Sequence, residues 1–374
     1  MVDKITKEQC TGCGACMNGC PVGCISMKAD EKGFLYPQID AEKCIQCGKC
    51  ERICPSLQSV KKEQNEKVPE VLAAWSLDEA IRYESTSGGV FSELALEVLR
   101  SGGVVSGARY NEQHMVEHCV IEREEELAAI RQSKYIQSDT RYVYRELETY
   151  LQAGRDVLFC GTPCECAGLH NYLGKTYENL LCVDFICRGA NSPKVFALFL
   201  KELEEQYQSK VSRVWFKNKV HGWRKFSTRI EFQNGEAYSK DRYSDTFIRG
   251  YIEANLYMRE SCEVCQYKQM PRISDITLGD FWGIKSDEVG AETDLGTSLM
   301  MLNSEKGSVF VERLKPRLFW VQRSFEEACR GNKCILESPK FNSNCPEFWN
   351  DLEKMGIIQN IQRFCKKREQ GEKL

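Results

Sequence analysis

The sequence predicts an α+β protein in two parts, a small cysteine-rich amino-terminal domain followed by a larger mixed α/β body. Two observations carry this prediction. Eight of the cysteines within residues 10–54 form two copies of one spacing, and strand-like and helix-like segments alternate from residue 71 onward. Residues 59–67 (SVKKEQNEK), which separate the two parts, are polar, charged and free of aromatic side chains, as is typical of a linker. The 374 residues are enough for two or three domains.

Both copies of the cysteine spacing read C-x2-C-x2-C-x3-C-P. They comprise Cys10, Cys13, Cys16 and Cys20, and then Cys44, Cys47, Cys50 and Cys54. This run is the signature of bacterial ferredoxins with two [4Fe-4S] clusters, in which the fourth cysteine of each run binds the other cluster. The expected ligand sets are therefore Cys10, Cys13, Cys16 and Cys54 for one cluster, and Cys20, Cys44, Cys47 and Cys50 for the other. The alternative is a pair of zinc sites or a disulfide framework, but zinc is bound at looser spacings.

Charge and apolar patterning argue against two classes of partner. Lys and Arg number 51 against 54 Asp and Glu, a net charge of -3, which leaves no basic surplus to neutralise the phosphates of a nucleic acid. No apolar run approaches the roughly 18 residues that a membrane span requires. The chain has 21 cysteines. Its first residues, MVDK, are not followed by an apolar export segment. We therefore expect a reducing, cytoplasmic compartment.

Periodicity predicts the elements of the body. A strand over residues 71–75 precedes a helix from Val90 to Arg100, whose apolar residues recur at helical spacing and which ends at Gly102-Gly103. The other expected elements are a strand at 104–110, a helix over 138–153, a buried strand at 157–160, a helix over 194–208 capped by Ser192-Pro193, and a small antiparallel sheet between 211 and 238 with a hairpin turn at Asn234-Gly235.

Three segments of the body are candidates for a binding or catalytic site. Residues 85–89 (STSGG) open a helix, where backbone amides bind phosphate, although Ser and Gly at this place serve equally as a plain cap. Residues 160–166 (CGTPCEC) leave a buried strand, and their cysteines are redox groups, metal ligands or small core residues. For Cys262-x2-Cys265, together with Cys187, three interpretations stay open: a zinc site, a redox dithiol or no chemical role. Residues 274–283 (SDITLGDFWG) then form a strand that ends on an acidic and aromatic turn.

These segments, in this order, resemble the coenzyme F420 hydrogenase/dehydrogenase beta-subunit family. The motifs are STSGGVFSELA, GGVVSGA, SKYIQS, GTPC, VDFICRG, CEVCQY and SDITLGDFWG. The resemblance implies an FAD-containing oxidoreductase with a third [4Fe-4S] cluster close to the flavin. The expected architecture is thus α+β, a ferredoxin-like two-cluster domain followed by a mixed α/β flavin-binding body. The expected boundaries are 1–58 for the two-cluster domain, 59–70 for the linker, 71–155 for the N-terminal family part, 156–350 for the C-terminal family part and 351–374 for a tail.

The resemblance also implies site residues, carried over motif by motif. The expected ligands of the third cluster are Cys164, Cys187, Cys262 and Cys265. The expected flavin contacts are Ser87, Gly88, Gly89, Lys134, Tyr135, Gly161, Thr162 and Pro163. Glu165 and Arg188 depart from the family pattern, in which many members carry Gln and His, and Arg188 suits an anionic ligand or a local carboxylate. Cys160 and Cys166 lie where the pattern does not require cysteine, and we expect them in the core.

Two functions are consistent with these cofactors. A hydride donor or acceptor exchanges two electrons at once, a cluster accepts one, and a flavin connects the two. The first hypothesis is an oxidoreductase that passes electrons between reduced coenzyme F420, or an organic substrate, at FAD and the clusters or ferredoxin. The second is an electron-transfer subunit that connects a partner enzyme to ferredoxin and has no substrate of its own. A reductase also needs a proton donor, and the candidates are Lys134, Tyr135, Asp280 and His221. Each has a structural alternative, which we favour for His221.

Overall fold

The amino-terminal domain repeats one local conformation, as its two cysteine runs predict. The computed structural model describes residues 2–58, 60 and 65–366. The elements of this domain are β1 (Ile25–Ala29), β2 (Leu35–Ile39), α1 (Ala15–Gly19) and α2 (Lys49–Arg52). The strands pair antiparallel. Each helix begins after a glycine in the left-handed conformation, Gly14 with φ 74° and Gly48 with φ 68°. These glycines allow the chain to turn within the C-x2-C-x2-C run.

A nine-stranded mixed sheet forms the centre of the body. The strands of the body are β3 (Glu70–Ser76), β4 (Val104–Tyr110), β5 (Val116–Ile121), β6 (Ser138–Asp139), β7 (Val157–Gly161), β8 (Leu180–Phe185), β9 (Val211–Asn218), β10 (Ser227–Phe232), β11 (Ala237–Asp241), β12 (Ile276–Asp280), β13 (Ser298–Leu302) and β14 (Leu318–Arg323). The order in the large sheet is β14-β3-β13-β12-β8-β7-β4-β5-β6. Strands β4, β7, β8 and β12 run parallel. Their carboxyl ends therefore meet at one edge.

Helices cover both faces of this sheet. The remaining helices are α3 (Glu79–Glu84), α4 (Val90–Arg100), α5 (Leu127–Ile130), α6 (Val143–Gln152), α7 (Pro163–Leu173), α8 (Pro193–Tyr207), α9 (Thr246–Ile252), α10 (Ser286–Val289), α11 (Glu305–Glu312), α12 (Phe325–Gly331), α13 (Cys345–Asn350) and α14 (Ile357–Phe364). Alternate residues of β7 point to opposite faces. Leu158 packs in the core that contains α4, whereas Val157 and Phe159 pack with α6 and α7.

A second, smaller layer forms at one side of the body. Strands β9, β10 and β11 make an antiparallel sheet in the order β11-β10-β9. Helices α8, α9, α13 and α14 share one aromatic-rich core with it, in which Phe247, Tyr257 and Phe348 are fully buried. The predicted tail therefore includes helix α14, and its residues 367–374 lie outside the described part of the chain.

Most elements expected from periodicity are confirmed. Helix α4 and strand β4 have the predicted bounds, and Ser192 Oγ caps α8 by accepting from Val195 N at 3.1 Å. The helix expected from residue 138 is wrong at its start, because Ser138 pairs with Val116 of β5 and the helix begins at Val143. Ser59 and residues 61–64 of the predicted linker lie outside the described residues. No helix in the described ranges has both the length and the apolar character needed to cross a bilayer.

Candidate functional site

The first predicted ligand set lies together in the amino-terminal domain. The thiols of Cys10, Cys13, Cys16 and Cys54 are free and buried. Burial, with repulsion from Cys54 and Cys10, raises the pKa of Cys13 to about 12, and burial likewise raises the pKa of Cys16 and Cys54. Mutual electrostatic effects of this kind require the four sulfur atoms to be neighbours. Without a metal these groups stay protonated, and iron in a cluster would stabilise their thiolate forms.

The second predicted set lies nearer the surface. Cys20 is buried, Cys44 and Cys50 are half-buried and Cys47 is exposed. Cys24, which the spacing did not assign, joins this group with its Sγ 3.4 Å from Cys20 Sγ, and it also interacts with Cys44. The apolar side chain of Ile45 beside them is 61% exposed. This set therefore faces the outside of the molecule, while the first set faces the body.

The third predicted set comes together from three places in the body. Cys164 lies in the first turn of α7, Cys187 follows β8, and Cys262 and Cys265 lie in the loop after α9. The Cys164 thiol interacts electrostatically with Cys187 and Cys265, and Cys187 interacts with Cys262. Ala190 N donates to Cys262 Sγ at 3.4 Å. The two cysteines left out of the ligand set differ from these. Cys166 is fully buried with its Sγ 3.6 Å from Val183 O, and Cys160 is a half-buried residue within strand β7.

The spacing of these thiols bears on the kind of metal they fit. Among the residues described, no three His, Cys, Asp or Glu side chains are close enough to bind one metal ion. Four thiolates around a cube of iron and sulfide lie farther apart than four around a single zinc ion. For the first two sets, it is the C-x2-C-x2-C-x3-C-P spacing of the cysteines that favours cubes over zinc.

Helix α7 connects the first set to the third. It carries Cys164 at its start, and Gly168 one turn later faces the amino-terminal domain, where a Cβ at Gly168 would lie 3.0 Å from Cys13 Sγ. The Tyr144 hydroxyl lies 2.8 Å from Cys13 O and 2.9 Å from Glu165 O. Buried Tyr267 interacts electrostatically with both Cys164 and Cys13. The first and third sets are thus separated by little more than one layer of side chains.

The turn between β7 and α7 holds three predicted flavin contacts. Thr162 is the N-cap of α7 and Pro163 occupies its first turn, while Thr162 N donates to the Glu165 carboxylate at 2.7 Å. A Cβ at Gly161 would lie 3.0 Å from the same carboxylate. Glu165, the departure from the family pattern, therefore closes this turn as a capping box.

The Ser87-Gly88-Gly89 loop is held against the sheet at the same edge. Gly88 N donates to Ser298 Oγ at 2.9 Å, and a Cβ at Gly88 would lie 2.4 Å from Ala74 O. Gly88 is therefore needed for close packing, and its amide is engaged within the protein. Gly89, with φ 91°, is the N-cap of α4 and has no side chain to cap the first amides of that helix. Those backbone amides are the groups of this loop that are suited to donate hydrogen bonds to a phosphate.

Lys219 positions this loop. Its buried ammonium group donates to Ser87 O at 2.6 Å, Arg82 O at 2.5 Å and Leu295 O at 3.0 Å. Burial lowers the pKa of Lys219 to about 7. The lysine thus joins the Ser87 loop to the segment before β13.

Tyr135 and Asp280 lie at this edge beside a lysine that sequence reasoning missed. Asp280 ends β12 and forms an ion pair with Lys217, and its other oxygen accepts from Trp223 Nε1 at 2.8 Å. Tyr135 is within electrostatic range of both members of the pair. The Lys217 ammonium group is 4.7 Å from the ring centroid of Trp282, so aromatic rings enclose the charge.

A cavity of about 370 Å³ adjoins this pair. Trp223 and Trp282 line it with rings stacked 4.6 Å apart, and Arg224, Arg242 and Lys285 add positive charge. Such walls suit a planar group that carries an anion. Predicted His221, in contrast, is exposed on the loop before Trp223.

Tyr251 connects the site formed by Tyr135, Lys217 and Asp280, here called the Tyr135 region, to the third thiol set. Its ring centroid is 5.6 Å from that of Tyr135, its hydroxyl donates to Gly189 O at 3.2 Å, and it interacts with Cys187. Arg188, the second departure from the family pattern, donates to Asn255 Oδ1 at 2.6 Å and to Ile252 O rather than to a carboxylate. The Tyr135 region and the third set are therefore neighbours.

Lys134 has surroundings different from those of Tyr135. Its Nζ donates to Arg131 O at 2.8 Å and lies 5.6 Å from the Tyr110 ring centroid. Burial lowers the pKa of Lys134 to about 7, while the thiols of Cys119 and Cys160 oppose the fall. The three predicted catalytic residues thus divide into Tyr135 with Asp280, and Lys134 apart from them.

We expect Lys134→Met to stabilise the protein in a pH-dependent way. The unfolded chain holds this proton up to its ordinary pKa of 10.5, whereas the folded protein releases it above about 7, so the stability that Lys134 costs at neutral pH returns as the pH rises. The variant should be more stable than the wild type by up to roughly 4 kcal/mol at neutral pH, reduced by the loss of the hydrogen bonds from Nζ to Arg131 O and Gln132 O, and the difference should shrink in alkaline buffer. Urea unfolding of both proteins across this range measures it. A difference that does not change with pH contradicts the prediction.

Three family models match consecutive parts of this chain. Residues 9–57 match a 4Fe-4S dicluster domain, residues 71–143 match the N-terminal part of the coenzyme F420 hydrogenase/dehydrogenase beta subunit, and residues 154–323 match the C terminus of that subunit. No curated protein matches significantly. A solved structure of the F420-reducing [NiFe] hydrogenase complex from Methanosarcina barkeri, derivatized with xenon, is 14% identical, with a TM-score of 0.46 over 81% of this chain and 93% of that chain.

The two beta-subunit models occur in order and together span most of the chain after residue 70. They include the turn after β7, the loop that carries Cys262 and the end of β12, where the candidate residues converge. The chain therefore belongs to the coenzyme F420 hydrogenase/dehydrogenase beta-subunit family and carries a 4Fe-4S dicluster domain at its amino terminus.

Proposed function

We propose that this chain is an iron-sulfur flavoprotein oxidoreductase that passes electrons between coenzyme F420 or an organic substrate and a redox partner protein or ferredoxin. When bound, FAD supplies the exchange between two-electron and one-electron chemistry, and three [4Fe-4S] clusters supply one-electron steps. The family, the dicluster domain and the arrangement of the thiols support this proposal.

The position of the third thiol set carries the proposal. It lies between the first set, which it approaches through Gly168 and Tyr144, and the Tyr135 region, which it approaches through Tyr251. An electron path between a substrate and the surface requires a centre in this place. Cys164, Cys187, Cys262 and Cys265 would hold that centre, and the half-exposed second set would be the point of exchange with a partner.

The flavin would be held by residues at the carboxyl edge of the parallel strands. The first amides of α4 after Gly89 suit its pyrophosphate. Ser87, Gly161, Thr162 and Pro163 would shape the groove, while Lys219 keeps the Ser87 loop in place. Tyr135, Lys217 and Asp280 would face the reacting end, where Tyr135 or Lys217 holds a proton for a substrate that needs one.

A second candidate function is favoured by the exposed second set. Cys47 is exposed and Ile45 beside it is 61% exposed, so a redox protein can approach the second set closely. A subunit that only connects its partner to ferredoxin would need this surface and no substrate cavity. The cavity at Trp223 and Trp282 favours the first function.

Anaerobic spectroscopy tests the proposal. We expect the purified chain to contain about twelve iron and twelve sulfide ions and one FAD, and its yellow absorbance to bleach on addition of reduced F420 or NADH without another protein. NADPH and reduced ferredoxin complete the panel. Bleaching only by ferredoxin or only after a partner is added would favour the second function. A colourless sample without labile sulfide would contradict both.

A further inference from the structure

Arg259 is a buried cation with no carboxylate partner in the part of the chain that the structure describes. Its side chain is 1% exposed, Nε donates to Cys10 O at 2.8 Å, and Nη1 donates to Gln137 Oε1 at 3.3 Å. Nη2 is buried and has no hydrogen-bond partner among the described residues. The other fully buried arginine of this region, Arg272, instead pairs with Asp184 at 3.1 Å. A buried charge is costly unless an opposite charge neutralises it.

The guanidinium group lies between the first and the third thiol sets. A Cβ at Gly12, in the loop from Cys10 to Cys13, would lie 3.1 Å from Arg259 Cζ. Arg259 and Cys262 share one turn of the chain, in which Cys262 N donates to the backbone carbonyl Arg259 O at 2.9 Å, and the Arg259 charge is within electrostatic range of the Cys262 thiol. The ring of Tyr36, 4.1 Å from Cζ, covers a face of the group. Arg259 therefore faces one ligand loop of each set.

We propose that Arg259 is the counter-ion shared by the first and third clusters and that it raises the reduction potential of both. The inference rests on the proposed function, because it requires the clusters to be present. A cube held by four thiolates is anionic and gains one further negative charge when it accepts an electron. A fixed cation nearby stabilises the reduced form more than the oxidised form, and the low polarity of the interior strengthens the effect. Arg259 is thus a positioning residue that acts on the clusters and not on the substrate.

The test is a redox titration of the intact chain followed by electron paramagnetic resonance. We expect Arg259→Gln to lower the ratio of reduced to oxidised cluster about tenfold at fixed potential for the first and third clusters, which equals a shift of about 59 mV for a one-electron couple. Arg259→Lys, which keeps the charge, should recover most of this shift. If Lys shifts the potentials as far as Gln does, charge is not the cause and the inference fails.

Arg145 offers a matched control. It also donates to carbonyls of the amino-terminal domain, Asn18 O at 2.5 Å and Cys20 O at 2.8 Å, but these belong to the run that leads to the second set. Arg145→Gln should leave the potentials of the first and third clusters within error of the wild type. Equal shifts in the Arg145 and Arg259 variants would overturn the assignment, since they would indicate a general effect of losing one positive charge.

A variant of Gln137 keeps the test decisive if Arg259→Gln does not assemble its clusters. Gln137→Glu has nearly the same shape and places a carboxylate against the guanidinium group, so it neutralises the cation in place. We expect a shift to more negative potential in the same two clusters, and unchanged potentials would overturn the inference. Wild-type protein without clusters would instead contradict the proposed function, so the two failures are distinguishable.

Discussion

Replacing Cys164 with alanine should lower the iron and sulfide content of anaerobically purified protein by about a third, because one cluster of three would lose a ligand. Cys164 lies in the first turn of α7 and interacts with Cys187 and Cys265. We expect the third cluster, left with three protein ligands, to be lost during purification. The flavin should remain bound but should no longer pass electrons to the first and second clusters, so dithionite should still reduce those clusters while reduced F420 should not.

Cys166→Ala is the matched control for this variant. Cys166 lies two residues further along the same helix and is fully buried, but its Sγ contacts Val183 O in the core. The control should keep the full iron content and lose only a modest amount of stability for the missing sulfur atom, about 1 kcal/mol. An unchanged iron content in Cys164→Ala, or an equal loss in the control, contradicts the assignment of the third ligand set.

Local sequence features predicted the parts of this molecule that depend on near neighbours in the chain. The bounds of α4 follow from apolar residues at helical spacing and from the glycines after it, and both are local. The two cysteine runs predicted two thiol groups in which the fourth member comes from the other run, and the grouping of Cys54 with Cys10 agrees with this exchange. The strand start at Ser138 was missed because its pairing partner lies in β5 and leaves no mark on the segment itself.

The residues that sequence reasoning missed interact across long stretches of chain. Arg259 and Cys10 are 249 residues apart, and Lys217 and Asp280 are 63 apart. No periodicity or spacing connects such pairs, since they meet only when the sheet and its loops are complete. The one local sign is that Lys217 and Lys219 directly follow the apolar run 214–216, in a segment that continues a buried strand, where a charged side chain needs a specific partner.

Replacing Asp184 with alanine should cost about 3–5 kcal/mol of the free energy of unfolding. Asp184 is fully buried in β8, accepts from Arg272 Nη2 at 3.1 Å and accepts from Thr277 Oγ1 at 2.5 Å. Arg272 is also buried, and it further donates to Tyr267 O at 3.0 Å. Removing the carboxylate leaves the guanidinium charge buried and uncompensated beside the third thiol set. Urea unfolding under anaerobic conditions, followed by tryptophan fluorescence, measures the loss.

Two further variants separate the ion pair from the cavity that alanine creates. Asp184→Asn keeps an acceptor for Thr277 and fills the space, so it should be less harmful than alanine while still leaving Arg272 without a counter-charge. The double variant Asp184→Val with Arg272→Met removes both charges with a smaller change of volume than Leu would bring, and it should recover most of the lost stability, because an apolar pair replaces a buried ion pair at little cost. A double variant as unstable as Asp184→Ala would show that the backbone bond from Arg272 to Tyr267, and not the ion pair, stabilises this part of the sheet. A loss below about 1 kcal/mol in the single variant would mean that water reaches the pair and screens it, as at an exposed salt bridge.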